Sequence, residues 1–116
     1  MVIMQKLSLD ARARELLADA GRSDAQRAAA TVIGGHEHVM RQTVVALKAG
    51  AQLSEHENPG EASLYVISGR VELTAGADTW QARSGDLIEI PQLRHKLDAL
   101  EDSAVLLTAV PRGQTS

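Results

Sequence analysis

Cysteine and phenylalanine are both missing from this chain of 116 residues, and tryptophan and tyrosine occur once each. Without cysteine there is no disulfide framework, no thiolate metal site and no thiol nucleophile. Two aromatic rings are too few for a platform that stacks single-stranded nucleic acid. A basic excess is also lacking, since 12 Lys and Arg stand against 15 Asp and Glu, a formal net charge of −3. That balance argues against a sequence-independent grip on phosphate backbones, so no nucleic-acid partner is expected. No run approaches the ~18–20 apolar residues that cross a bilayer. The first residues, MVIMQKLSLDARARELL, lack a basic start followed by an apolar stretch. No secretory leader or membrane partner is therefore expected, and the expected setting is the cytoplasm.

What is present is an ordinary apolar fraction of 44%, drawn mostly from Ala, Val, Leu and Ile. The length suits one domain with a single core. That core has to be built from small and branched aliphatic side chains.

Ser8-Leu9-Asp10 supplies N-cap chemistry ahead of ARARELLADA, and Gly21 follows as a stop. Leu9, Ala13, Leu16, Leu17 and Ala20 recur at helical spacing. This predicts an amphipathic helix over about residues 10–20, packed on the outside of the domain. The stretch from Gly21 to Ala30 reads as a linker or a weak helical turn. Residues 1–30 then form a helix and linker, and residues 31–116 the main domain.

From Thr31 the texture changes to short β-branched runs between turn residues. TVI, MRQTVVAL, LYVIS, VELTA, DLIEI and AVLLTAV are each closed by Gly, Pro, Asp or Lys-Ala-Gly. This spacing predicts an all-β sandwich or barrel, with no room for the helices a parallel sheet needs. LYVI (64–67) and AVLLTAV (104–110) are apolar on both faces. One face should look into the core, and the other should be covered by the N-terminal helix or a second subunit. A homodimer is expected, because two-fold pairing is the commonest soluble assembly.

Two spaced segments carry a resemblance. The first, GAQLSEHENPGEASLYVISG, runs from Gly50 to Gly69; the second, GDLIEIPQLRH, runs from Gly85 to His95. Together they resemble the two motifs of the cupin superfamily, over about residues 38–110. The resemblance implies a cupin-like jelly-roll β-barrel with a short N-terminal helix and a pocket between the motifs. It also implies a divalent metal held by two histidines and a glutamate of the first motif and a histidine of the second.

This chain departs from that pattern. Asn58 stands at the second histidine, and Ala62 stands where the glutamate is expected. Leu93 replaces a glycine, His95 comes one residue early, and Ala99 occupies the position of a following Asn. His56 and His95 are the ligands that survive, for Fe, Mn, Ni, Cu or Zn. Such metals take three or four protein donors, and an amide is a weak one. The alternative is that both histidines are hydrogen-bonded pocket residues able to act as acid or base without metal. Asn58, Glu61, Gln42 and Arg41 are the accompanying pocket candidates.

A further His-x-His lies at His36 and His38. On a strand both rings would share a face with Gln42, Val44 and Ala46. The odd positions, with Val39, Val45 and Leu47, are slightly more apolar and so the better candidates for the interior. The two histidines either complete a metal site or sit solvated at a strand start. Arg41 and Arg94 suit an anionic ligand through the planar fork of the guanidinium, and are otherwise solvated charges. Trp80 is expected to cover the outside of the barrel or a dimer contact, and Tyr65 to sit in the core or an interface.

Three functions stay open at this point. One is an enzyme of metal-assisted or histidine-based chemistry, such as an isomerase, lyase or oxygenase. Another is a ligand-binding or sensory module without chemistry, and the third is a structural copy of the fold. With so few rings to stack on, the expected ligand is a small or aliphatic molecule.

Overall fold

The computed structural model describes residues 6–56 and 60–111, with the backbone alone at positions 55 and 56. Helix α1 (Leu9–Gly21) opens the described chain. Ser8 caps it from an extended conformation, its Oγ accepting the Ala11 N–H at 3.2 Å. The cap satisfies one of the N–H groups that a helix start leaves without a partner.

Among the described residues nine strands follow: β1 (Arg27–Ile33), β2 (Arg41–Leu47), β3 (Gln52–His56), β4 (Gly60–Ser68), β5 (Arg70–Ala75), β6 (Asp78–Arg83), β7 (Leu87–Glu89), β8 (His95–Ala99) and β9 (Ser103–Pro111). They form two antiparallel sheets, ordered β1-β2-β9-β4-β7 and β3-β8-β5-β6. The all-β expectation holds as a jelly-roll-like sandwich whose two sheets stay separate. At one edge Arg27 Nη1 donates to the Gln52 carbonyl at 3.0 Å, tying β1 to β3.

Alternation sets the core. Val45, Leu47, Leu64, Val66 and Val105 of the larger sheet meet Val71, Leu73, Leu97 and Ala99 of the smaller one. Odd positions of β2 thus face the interior. Even positions Val44 and Ala46 face away and are sealed by Leu16 and Ala20 of α1. The helix therefore supplies part of the second cover that the doubly apolar strands require. Leu106 and Ile67 pack at its margin. Tyr65 lies on the same outer face but remains 38% exposed, so it is not a core residue.

Two local expectations are corrected. Residues 27–30 belong to β1 and are not linker or helix. Their alanines favour helix in isolation, but Ala28 pairs with Ala46 and Ala30 with Val44, where small side chains let α1 lie close. Tertiary pairing overrides propensity here. His36 and His38 are not on a strand either, because β2 starts only at Arg41. Gly35, at φ 120°, turns the chain in a region that favours glycine, and the Gly35 carbonyl accepts the His38 N–H at 3.1 Å.

Candidate functional site

Strand β3 meets β8 in the register Gln52 with Asp98, Leu53 with Leu97, and His56 with His95. Three steps along β3 are matched by two along β8, so β3 carries a bulge between Leu53 and His56. Were the same chain paired one-to-one from Leu53, position 55 would stand opposite His95. Bulges of this kind commonly re-aim a strand beside a site. The surviving histidines of the two motifs are thereby brought to one register position.

The early placement of His95 also has a structural reason. In β8, His95, Leu97 and Ala99 are buried, whereas Lys96 and Asp98 alternate away. The regular motif position would be 96, and here it lies on the outward face. His95 is 4% exposed, and its Nδ1 donates to the Leu93 carbonyl at 2.8 Å. A carbonyl can only accept, so Nδ1 carries the proton and Nε2 the lone pair in the neutral ring. Leu93, which replaces the motif glycine, contributes through its backbone.

Beside His95 the interior holds a cavity of about 20 Å³, walled by Val45, Leu64, Leu73, Leu97 and Leu107. That is room for about one water molecule. Among the described residues the interior beside His95 is thus filled by aliphatic side chains, and this cavity has no room for an organic ligand.

The other candidates are scattered. Ala62, at the expected glutamate, packs against the interior. Its neighbour Glu61 alternates to the outer face of the larger sheet, in an open groove of about 550 Å³ with Ser63, Glu89 and Thr108. Gln42 is on that outer face too, its Nε2 donating to Thr108 Oγ1 at 2.9 Å. Neither Glu61 nor Gln42 joins His95. Asn58 lies outside the described residues.

Arg41 is placed differently. It lies on the inward register of β2 and lines a recess of about 410 Å³ with His36, His38, Val39, Ala109 and Pro111. Neither residue type nor spacing pointed to this grouping, because it depends on the turn at 34–40 folding back over the end of β2. Arg94 is exposed and lies outside this recess.

Among the described residues no three His, Asp or Glu side chains are grouped as a metal cage. His95 is the one described donor at the motif site, with His56 opposite it in register. Those residues do not fit a centre of three or four protein ligands. No helix among the described residues is long and apolar enough to cross a membrane.

Comparison with known proteins agrees with this geometry. A family model described as a cupin domain matches residues 43–111. A conserved protein of unknown function from Streptococcus pyogenes is 28% identical, with a TM-score of 0.68 and 77% of each chain covered. A cupin-like protein from Thermotoga maritima is 17% identical, with a TM-score of 0.69 over 78% of this chain and 72% of that one. A DMSP lyase from Ruegeria pomeroyi is 19% identical, with a TM-score of 0.64 over 78% of this chain and 49% of that one. No curated protein matches the chain.

Proposed function

The chain belongs to the cupin family, and from that premise we propose that it binds a small molecule at the histidine end of its sandwich. The observation that carries this is the register of His56 and His95. His95 is the one ionisable side chain buried between the sheets among the described residues. The hydrogen bond from Nδ1 to the Leu93 carbonyl orients the His95 ring and makes Nε2 the acceptor atom of its neutral form. In this reading the ligand sits at the mouth of the sandwich, with its polar end toward His95.

A divalent transition metal (Fe, Mn, Ni, Cu or Zn) at His56 and His95 would polarise a bound ligand as a Lewis acid. The described donors do not complete its coordination, so the binding function is derived without it. The lyase of similar fold shows that such a sandwich can host a reaction in another protein. At 19% identity it gives this chain the fold alone.

Elemental analysis of untagged protein tests the proposal, together with thermal-shift screening of small organic molecules on wild type and His95→Gln. Substoichiometric metal is expected, with hits that stabilise wild type and not the variant. Near-stoichiometric metal that disappears in His56→Ala or His95→Ala would overturn it in favour of a metal centre.

A further inference from the structure

We infer that the recess between Arg41, His36 and His38 is a carboxylate-binding subsite, so that the ligand of the histidine end is a small aliphatic carboxylate. This rests on the histidine end being where the ligand docks.

Register fixes where the recess lies. Thr43, Leu107 and Leu64 form one inward row across β2, β9 and β4, and Leu107 and Leu64 wall the small cavity at His95. The next inward row is Arg41, Ala109 and Ala62. Arg41 is therefore one row nearer the open end than the His95 cavity. Ala109, the small residue of that row that lines the recess, leaves space beside the Arg41 side chain. Gly34 helps in the same way, since a Cβ there would stand 3.0 Å from Thr31 Cγ2 and 3.6 Å from Arg41 Nε.

The chemistry selects an anion. The Arg41 guanidinium makes no hydrogen bond or ion pair with another described side chain, although it lines a concave surface. Its planar fork matches a carboxylate through two parallel N–H donors. His36 and His38 line the same recess, and an imidazole ring nitrogen bearing a proton can donate to an anion. Glu37 is the one acidic group among the lining residues; its Oε1 lies 3.6 Å from His38 Nε2, and it makes no ion pair with Arg41 among the described residues. A metal cation is disfavoured by the same guanidinium. Val39, Ala109 and Pro111 form an apolar wall for the body of the ligand, with no ring to stack on.

Calorimetric titration tests the subsite with malonate and succinate as probes, succinamide as the neutral control, and inorganic phosphate as the competing anion. At least one dicarboxylate should bind about tenfold or more tightly than succinamide. Arg41→Gln should weaken it by a similar factor at unchanged thermal midpoint, and Arg41→Lys by less. The double variant His36→Gln/His38→Gln should weaken it several-fold. Three results would overturn the subsite: no dicarboxylate binding up to about 10 mM, tighter binding of phosphate, or unaltered binding in Arg41→Gln. His95→Gln separates the two proposals. Binding lost in Arg41→Gln but kept in His95→Gln leaves the subsite standing and removes His95 as a ligand contact. The opposite pattern removes the subsite and keeps the histidine.

Discussion

The Ser103 hydroxyl accepts the Arg70 N–H at 3.0 Å and faces the carbonyls of Arg70 and Glu101 at 3.0 and 2.7 Å. The side chain is fully buried and joins the first residue of β9 to the first of β5. One proton serves only one of the two carbonyls at a time, so the hydroxyl is saturated. Ser103→Ala removes the acceptor of a partly buried N–H, with an expected cost of about 1–3 kcal/mol. Urea unfolding checks this through a lower midpoint at an unchanged slope.

Gly69 presses against the same link. Its φ is 86°, and a Cβ there would run into the Asp102 carbonyl oxygen and Ser103 Oγ. Gly69→Ala is expected to cost about 3 kcal/mol or more, combining backbone strain with overpacking. Circular dichroism melts should show a large drop in midpoint or loss of the transition. The closing glycine of the first motif is thus required by the fold, not by a ligand.

Asp102 gives the acid limb of stability a defined contributor. A hydrogen bond from Lys48 Nζ at 2.7 Å and one from the Ala49 N–H at 2.8 Å hold its carboxyl below the usual aspartate range. A carboxyl lowered on folding stabilises the protein above its unfolded pKa, and the gain is lost as pH falls through the folded pKa. The effect should be present at neutral pH and fade below about pH 4. Asp102→Asn should flatten that part of the pH–midpoint curve. The pair is half exposed, so raising salt should shrink the difference.

Helix α1 stops short of Tyr65 and Leu87, which pair across β4 and β7 on the outer face and are 38% and 69% exposed. The homodimer expected from the sequence would cover this pair. Sedimentation at micromolar concentration should then give twice the chain mass of 12.4 kDa, and Leu87→Asp should return it to one chain. A single-chain mass for the wild type would sink the proposal.

Much of the fold was readable because aliphatic runs and turn residues report alternation directly. Ser8, Leu16 and Ala20 announced the helix, and the slightly more apolar odd positions of β2 do face the interior. Residues 27–30 misled because three alanines carry no period, and their state is decided by β2 and the helix above them. At the site, the spaced motifs located His56 and His95, but not the bulge that opposes them. Glu61 and Gln42 were displaced by strand parity, which spacing alone does not reveal. The recess at Arg41 depends on a turn, and turns carry little hydrophobic pattern.

The extra residue in β3 makes the histidine pairing tolerant of a change in chain length. Deleting Ser54 would leave two steps on each strand, so that Glu55 stands opposite Lys96 and His56 stays opposite His95. What such a deletion removes is the added local twist that a bulge gives its strand, not the pairing. A single lost codon would thus reshape the strand around the two histidines while keeping them face to face.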